Sequence, residues 1–504
     1  MDIFKVLIIF GVFSIFKFSE AKKPNIIFIL ADDYGWQDIG YHSSDIRTPT
    51  LDKLAGSGIR LENYYVQPIC TPTRSQLMSG RYQIHTGLQH GIIWPTQPNG
   101  LPLSDPTVAD KLKEAGYSTH MVGKWHLGFY KEEYLPINRG FDSYYGYLTG
   151  SEDYYTHKRC GGTPPSNDFY CGLDLRNNKE PVRNETGHYS AELFGEKAIQ
   201  VIKDHNKNNP LFLYMAFQSV HAPLQVPERY LKYYKHVQDK DRRTYAGMVT
   251  AMDEAIFNLT EQLKAKGMWD DTILVFSTDN GGQFHAGGSN WPLRGMKATL
   301  WEGGMRGIGF VHSKLIPENR RGTVSKELYH VTDWFPTFVK GVAKGSLNGT
   351  KLDGHNIWDS IVHGRVSPRH EILHNIDILT PKSGKPIFPN YFDTSIRAAY
   401  RYRDWKIITG NPGAGIWYPK RFATNTSSTL FEKHNEQGKN CWLFNIRDDP
   451  EERVDLSLKR PEMVKFLLTR LSLLNETAVP VRYPAADPKA NPELHGGVWG
   501  PWRK

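Results

Sequence analysis

Four apolar segments of the chain are each followed directly by residues that can bind a metal ion, carry charge or move a proton. The pairings are NIIFILA with Asp32 and Asp33, STHMVG with Lys124 and His126, LFLYMAFQSV with His221, and TILVFST with Asp279 and Asn280. Ligands of open parallel sheets bind beyond the carboxyl ends of the strands. If these segments are parallel strands of one sheet, their acids, amide, imidazoles and amine form a single site.

Asp32, Asp33, Asp279 and Asn280 all offer oxygen ligands. Such ligands suit a hard divalent cation such as Ca²⁺ or Mg²⁺, and no Cys/His cluster with the spacing of a zinc site competes with them. The alternative is that Asp-Asp and Asp-Asn-Gly-Gly are only strand-end turns or helix caps. Two such pairs, each after an apolar strand, favour the cation site.

A cysteine stands at the start of a predicted helix. Pro72 suits the first turn of a helix that begins at Cys70 and closes at Gly80. A side chain there faces free backbone N–H groups and the positive end of the helix dipole, which is a natural site for an anion. Cys70 could therefore be a thiolate nucleophile of low pKa or an inert buried cysteine, and on its own the sequence position favours the inert cysteine.

Short apolar runs alternate with segments of helical period, which is the pattern of an α/β sheet. The clearest predicted elements are strands at 25–31, 118–122, 211–218 and 272–277, and helices at 107–115 and 241–266. The strands are almost unbroken apolar runs, which indicates a mostly parallel central sheet covered on both faces. These strands would position the site at their carboxyl ends.

The pattern changes after about residue 370. Prolines become more frequent, and short strand-like runs at 405–408 and 442–446 accompany one helix near 462–474. We therefore predict a large catalytic domain over residues 22–370 and a smaller C-terminal α+β domain with an antiparallel sheet over residues 371–504.

The first 21 residues predict a secretory signal peptide. Lys5 precedes the apolar stretch Val6 to Ile15, and Ser19-Glu20-Ala21 offers small residues where a signal peptidase cleaves. The apolar run is shorter than the ~20 residues of a membrane span, so a signal anchor is the less favoured alternative. No later segment predicts a membrane span, and we expect no lipid anchor or retention signal at the C-terminus.

The remaining bulk features fit a protein of the secretory pathway. The formal net charge is +9, but the sequence has no dense Lys/Arg block and no nucleic-acid motif, so we expect no nucleic-acid partner. Cys160 and Cys171 flank a Gly/Pro-rich loop and would pair in an oxidising compartment, which leaves Cys441 unpaired. Candidate glycosylation sequons begin at Asn184, Asn258, Asn348, Asn425 and Asn475.

The segment CTPTRSQLMSGR resembles the signature of the sulfatase family, in which Cys-x-Pro-x-Arg is followed by Ser-x-x-x-x-Gly-Arg. In that family the signature directs oxidation of the cysteine to formylglycine during secretion. Further segments, among them ADDYGWQDIG, GYSTHMVGKWHLG, FQSVHAPLQVP, FSTDNGG, NWPLRGMKATLWEGG and GVWGPW, resemble the arylsulfatase B branch, the N-acetylgalactosamine-4-sulfatases. The resemblance covers about residues 24 to 504 and implies an alkaline-phosphatase-like sandwich.

The resemblance also implies a role for each candidate residue. Asp32, Asp33, Asp279 and Asn280 match the ligands of one Ca²⁺ ion, whose coordination is completed by the formylglycine made from Cys70. Arg74 and Lys124 match residues that hold the formylglycine hydrate, and His126 matches the base that acts on it. His221 and Lys297 match residues that bind the substrate sulfate and assist the leaving oxygen. The other cysteines of the family are largely missing, which puts the substrate-facing loops in doubt more than the chemistry.

The expected activity is hydrolysis of sulfate esters, with a formylglycine-generating enzyme as a partner during secretion. The resemblance implies 4-sulfated N-acetylgalactosamine of dermatan or chondroitin sulfate as substrate, and small-molecule sulfates such as glucosinolates are the alternative. A glycan substrate would indicate a lysosomal enzyme, and a small substrate a secreted one. Less favoured alternatives are a phosphodiesterase or phosphatase of the same superfamily, which usually carries Ser or Thr as nucleophile, and a non-catalytic homologue.

Overall fold

A computed structural model describes residues 22–42, 45–165, 168–420 and 438–504, together with the backbone of 432–433. The predicted signal peptide and the sequon at Asn425 lie outside the described residues. Among the helices that are described, none combines the length and the apolar character that crossing a membrane requires.

The described chain alternates strands and helices for most of its length. The strands are β1 (Asn25–Ala31), β2 (Ile59–Tyr65), β3 (Ser118–Lys124), β4 (Ser143–Tyr147), β5 (Lys158–Gly161), β6 (Tyr170–Leu173), β7 (Leu175–Asn177), β8 (Glu180–Pro181), β9 (Leu211–Ala216), β10 (Thr272–Thr278), β11 (Gly309–Ser313), β12 (Thr323–His330), β13 (Glu371–Asp377), β14 (Arg397–Tyr402), β15 (Trp405–Thr409), β16 (Ile416–Trp417), β17 (Glu432–Lys433) and β18 (Cys441–Asn445). The helices are α1 (Pro49–Gly56), α2 (Cys70–Ser79), α3 (Gln83–Thr86), α4 (Val108–Glu114), α5 (Ser190–Asp204), α6 (Glu228–Leu231), α7 (Lys240–Ala265), α8 (Glu302–Met305), α9 (Trp334–Pro336), α10 (Trp358–His363) and α11 (Pro461–Glu476).

The central sheet has ten strands in the order β12-β2-β11-β10-β1-β9-β3-β4-β7-β8. Its middle, from β10 to β4, is parallel, and antiparallel pairs occur toward both edges. β1 lies between β10 and β9, with Ala31 opposite Thr278 and Leu30 opposite Ala216. The predicted, mostly parallel α/β sheet is therefore confirmed, and the carboxyl ends of its central strands lie side by side.

Both faces of the central sheet are covered, which explains the unbroken apolar sequence of its strands. In β1, Ile26, Phe28 and Leu30 belong to one apolar cluster, and the alternate residues Ile27 and Ile29 belong to another. Helix α7 covers the second face with an apolar stripe, in which Tyr245, Met248, Met252, Ile256, Leu259 and Leu263 are all buried. Burial on both faces fixes the strand ends that carry the polar residues.

A second, antiparallel sheet follows in the order β13-β14-β15-β18. One of its faces packs on α11, and the other packs on Tyr65, Leu300 and Trp301 of the larger part of the chain. The tail then returns to the central region, where Trp499 joins the main apolar cluster. The sheet begins at Glu371 as the predicted boundary requires, while the division into two domains stays a prediction.

The cysteines lie as the sequence predicted. A disulfide joins Cys160 and Cys171, which face each other in the antiparallel pair of β5 and β6. Cys70 and Cys441 are free thiols, and both are buried. Burial raises the pKa of the Cys441 thiol to about 12, so this cysteine stays protonated and chemically quiet.

Candidate active site

The carboxyl ends of β1, β9, β3 and β10 bring the predicted residues to one buried site. The backbone N–H of Asp33 donates to Asp279 Oδ1 at 3.2 Å, and Asn280 Nδ2 donates to Asp33 Oδ1 at 2.8 Å. The thiol of Cys70 lies 3.6 Å from Asp32 Oδ1. The side chains that follow β1 and β10 therefore surround the residue that the sequence singled out at the helix start.

Cys70 is the first residue of α2, and no side chain caps the helix before it. Its side chain is buried, and burial together with the charge of Asp32 raises the pKa of the thiol, although Lys124 and Lys297 oppose this. An unmodified Cys70 would therefore be a protonated thiol and a poor nucleophile. The alternative of a low-pKa thiolate finds no support in this environment.

Two buried cations lie among the carboxylates. Arg74 Nη2 donates to Asp279 Oδ2 at 2.9 Å and to Asp32 Oδ2 at 3.4 Å, and Lys124 Nζ also donates to Asp32. Burial raises the pKa of Asp32, but the charges of Lys124, His221 and Arg74 outweigh it, so this pKa is lowered overall. Asp32 is therefore ionised, and both cations are held without contact to bulk solvent.

Lys297 and His221 stand at the more open side of the site. Lys297 Nζ donates to Asp33 Oδ2 at 2.7 Å, and His221 Nε2 lies 3.7 Å from the same oxygen. Their side chains are 12% and 18% exposed, whereas those of Asp32, Arg74 and Lys124 are fully buried. A ligand that enters the site would therefore meet Lys297 and His221 first.

His221 has a defined tautomer. Its Nδ1 lies 2.6 Å from the carbonyl oxygen of Ala222, which can only accept, so Nδ1 carries the proton and Nε2 holds a lone pair. Burial and the charge of Lys297 lower the pKa of His221. The pKa of Lys297 moves the other way, because the charge of Asp33 outweighs burial.

His126 is held in a strained position. Its φ is +59°, in the left-handed region, and its ring lies against Gly150, where a Cβ would come within 2.8 Å of Cε1. Nε2 lies 3.1 Å from the carbonyl oxygen of Ile93, so Nε2 carries the proton. Nδ1 is buried and has no hydrogen-bond partner among the described residues. The ring therefore presents a neutral, unused acceptor.

The donors suit a hard cation. Ligand atoms of Asp32, Asp33, Cys70 and His221 all lie within 4.8 Å of one another. Asn280 Oδ1 is buried, and within the described part of the chain it has no hydrogen-bond partner. A buried amide oxygen without a partner is costly unless an ion or a donor meets it. This group contains Asp32, Asp33 and Cys70 of the predicted ligands, together with His221, which the sequence assigned to substrate, and it does not include Asp279.

Sequence reasoning missed the groups that orient the imidazoles, because they act through backbone atoms. The carbonyl of Ile93 fixes His126, and the hydroxyl of Tyr154 donates to the carbonyl of His221 at 2.8 Å. Gly150 leaves room for the His126 ring. No residue type or spacing signals a carbonyl that is brought in from a distant loop.

Comparison with known proteins identifies the chain. Residues 24–342 match the family model described as Sulfatase. The chain is 52% identical over 496 residues to arylsulfatase J of Mus musculus, an alignment that covers 96% of this chain and 81% of the relative. It is 27% identical over 501 residues to N-acetylgalactosamine-6-sulfatase of Homo sapiens, covering 95% and 89% of the two chains.

A solved structure agrees with this comparison. The crystal structure of Ps i-CgsB in complex with k-i-k-neocarrahexaose superposes with a TM-score of 0.75 at 29% identity and covers 94% of this chain and 98% of that one. The specific likeness to the arylsulfatase B branch stays a prediction. The matches favour a sulfatase over the phosphodiesterase and the non-catalytic homologue. The chain therefore belongs to the sulfatase family and is a hydrolase of sulfate esters.

Proposed function

We propose that this sulfatase works with a formylglycine made from Cys70 and with one bound Ca²⁺ ion. The observation that carries the proposal is the environment of Cys70, at the start of a buried helix and within the field of Asp32, Lys124 and Lys297. A thiol that is held protonated is a poor nucleophile. It would take part in the reaction once it is oxidised to an aldehyde, as the CTPTR signature implies. When bound, these groups supply a nucleophilic oxygen and offset negative charge.

The chain's own ligands for the cation would be oxygens of Asp32, Asp33, Asp279 and Asn280, together with residue 70. The unpartnered Oδ1 of Asn280 supports this assignment. All of these are hard oxygen donors, which favour Ca²⁺ or Mg²⁺, and the family resemblance selects Ca²⁺.

Arg74, Lys124 and Lys297 offset the charge of the substrate. A sulfate ester is an anion, and attack on its sulfur is opposed by that charge, so fixed cations near the sulfur lower the barrier. Arg74 and Lys124 are locked by Asp32 and Asp279, which holds them in place before the substrate arrives. Lys297 is partly exposed and binds the sulfate directly.

His126 and His221 move protons. His126 accepts a proton at Nδ1, because Nε2 already donates to Ile93. His221 can protonate the leaving oxygen only after Nε2 has taken up a proton, because Nε2 of the neutral ring holds a lone pair, and Lys297 assists by its charge. Lys297 is the weaker acid of the two, since its pKa is raised while that of His221 is lowered.

The proposed substrate is the 4-sulfate of N-acetylgalactosamine in dermatan or chondroitin sulfate. Two relatives support a sugar substrate by name, an N-acetylgalactosamine-6-sulfatase and a structure solved with a bound neocarrahexaose. The alternative is a small-molecule sulfate such as a glucosinolate, which the name arylsulfatase J of the 52% identical relative keeps open.

We propose the secretory pathway as the route of this protein, with removal of residues 1–21 and delivery to the lysosome or to the outside of the cell. A formylglycine-generating enzyme would modify Cys70 on the way. The disulfide supports an oxidising compartment. Exposed asparagines of four sequons support glycosylation there, namely Asn184, Asn258, Asn348 and Asn475. We retain the division into a catalytic domain, 22–370, and a smaller domain, 371–504.

The substrate proposal is tested by sulfate release from three compounds. Protein secreted from a host that makes formylglycine would be offered a 4-sulfated N-acetylgalactosamine oligosaccharide, a glucosinolate and a simple aryl sulfate. A higher kcat/KM for the sugar supports the proposal. Turnover of only the two small compounds would overturn the glycan substrate and support the secreted, small-molecule enzyme.

We expect the acid limb of the pH profile of kcat/KM to lie below pH 6.5. Burial and the charges of Lys124 and Arg74 lower the pKa of His126 well below its ordinary value. The ring is neutral above its pKa and loses its acceptor only when it is protonated below that value, so turnover of an aryl sulfate should persist at pH 6. The profile would be measured from about pH 4 to about pH 8.

The matched control for this profile is His312→Asn. His312 also has a pKa lowered by burial, but it lies on β11 beside Leu274, near the amino end of β10 and away from the site. The control should keep the wild-type profile, and His126→Asn should abolish turnover. An acid limb at or above pH 6.5 would contradict the assignment of His126 as a neutral base.

A further inference from the structure

Arg397 reaches from the C-terminal sheet to the edge of the active site. It is the first residue of β14, and its Nη2 donates to the carbonyl oxygen of Ala298 at 2.7 Å. Ala298 directly follows Lys297, which binds Asp33 in the site. The guanidinium therefore lies beside the segment that carries the proposed sulfate-binding lysine.

Among the described residues, only the nearby carboxylate of Asp377 partly offsets the charge of Arg397. Its Nε is buried without a hydrogen-bond partner, and no carboxylate in the described parts of the chain lies within ion-pair distance of it. Asp377 is its neighbour across the strand pair, but that carboxylate accepts from His90 Nδ1 at 2.9 Å and from the hydroxyl of Thr380. Burial outweighs the charge of Asp377 and lowers the pKa of Arg397.

Other buried arginines of this protein have more ion-pair and hydrogen-bond partners than Arg397 does. Arg74 pairs with Asp279 at 2.9 Å, and Arg369 pairs with Asp333 and donates to Tyr82 and Thr332 as well. A guanidinium has five N–H donors, and an arginine that only stabilises the fold uses most of them. In the described structure, Arg397 uses one of these donors, which leaves the other N–H groups of its guanidinium for a ligand.

His90 contacts the same carboxylate of Asp377. Its ring is held by that carboxylate and packs edge-on against Tyr483, and its side chain is 25% exposed. The same loop reaches the catalytic groups, because the carbonyl of Ile93 accepts from His126 Nε2 and the backbone N–H of Ile93 donates to the hydroxyl of Thr71, the neighbour of Cys70. His90 and Arg397 therefore flank one carboxylate at the rim of the active site.

We propose that Arg397, with His90 beside it, forms a subsite for a second anionic group of the substrate, next to the sulfate ester that is cleaved. The proposal rests on the proposed function, since it takes Lys297 as the ligand of that sulfate. The guanidinium fork matches the paired oxygens of a carboxylate or a sulfate. The second group is therefore the carboxylate of a neighbouring uronate or another sulfate on the same glycan.

The test compares Arg397→Gln with wild type on four substrates. These are an aryl sulfate with no other charge, a 4-sulfated N-acetylgalactosamine oligosaccharide with its uronate carboxylate, the same compound with the carboxylate reduced to an alcohol, and a disulfated form. We expect kcat/KM to fall at least about tenfold for substrates with a second anion and to change less than about twofold for the aryl sulfate. The reduced and disulfated forms tell which anion the subsite takes.

The matched control is Arg403→Gln, which removes one positive charge at the exposed turn after the far end of the same strand. It should leave every kcat/KM unchanged. Equal losses on all four substrates in Arg397→Gln would overturn the subsite and make Arg397 a positioning residue for the Lys297 segment. No loss on any substrate would overturn it as well.

The inference can fail separately from the proposed function. If wild type turns over the aryl sulfate but no glycan, the glycan substrate has failed. The desulfated uronate oligosaccharide is then used as an inhibitor of aryl sulfate hydrolysis. A Ki that rises at least about tenfold in Arg397→Gln supports the anion subsite, and an unchanged Ki overturns it.

Discussion

The Cys70→Ala protein should release no sulfate from any of the three compounds while it keeps its fold. Removal of a nucleophile typically lowers kcat by about 10⁴-fold or more, because positioning and charge compensation alone remain. The side chain of Cys70 is buried at the start of α2 and makes one sulfur contact, to Asp32. The smaller alanine leaves the ion pairs of Arg74 and Lys124 in place.

Cys441→Ala is the matched control, since Cys441 is the other free and buried cysteine of the described chain. It lies on β18 in the C-terminal sheet, and its loss should leave kcat/KM unchanged. Mass spectrometry of the peptide around residue 70 gives a second readout, because the aldehyde is lighter than the thiol. Sulfate release by Cys70→Ala, or an unmodified Cys70 in the active protein, would contradict the formylglycine proposal.

The sequence predicted the central sheet well, because the signals are local. Unbroken apolar runs such as NIIFILA are typical of strands that are buried on both faces, and β1 has the predicted bounds. The strand predicted at 211–218 ends earlier, at Ala216, although Phe217 still donates to Leu30. The helix predicted to close at Gly80 is α2, and the helix predicted at 107–115 is α4, which spans Val108–Glu114.

The sequence could predict which side chains meet in the site only to the extent that it predicted the order of the strands. The polar residues after β1 and β10 meet because these strands pair in parallel, which the strand ends suggested but did not require. The pairing of Lys297 with Asp33 joins residues 264 positions apart, and the support of His126 by Ile93 uses a carbonyl. Such contacts depend on how loops pack, and no periodicity or residue type encodes them.

Arg397 shows the same limit from the C-terminal side. In the sequence it is one basic residue of the predicted C-terminal domain, and nothing distinguishes it from Arg401 or Arg403. Arg397 reaches the site because the second sheet packs on Leu300 and Trp301, which brings the first residue of β14 next to Ala298. The sulfatase family could therefore be predicted from the sequence, while the proposed anion subsite required the structure.

Removal of divalent cations should abolish turnover, and added Ca²⁺ should restore it. Asp32, Asp33 and Asp279 crowd their charges into a buried site, and burial together with the charge of Asp32 raises the pKa of Asp279. That crowding is expected of carboxylates arranged around a cation. Asp279→Asn should lower kcat/KM by about 10³-fold, because it removes one charged ligand but keeps an acceptor for Arg74.

Asp253→Asn is the matched control for this variant. Asp253, on α7, is also a buried aspartate with a raised pKa, of about 6, but it accepts from the backbone N–H groups of Thr50 and Leu51 in α1. It should keep both activity and metal. Elemental analysis would report one ion per wild-type chain and less than one in Asp279→Asn. Full turnover by a chelated protein that contains no metal would remove the cation from the mechanism and leave charge compensation to Arg74, Lys124 and Lys297 alone.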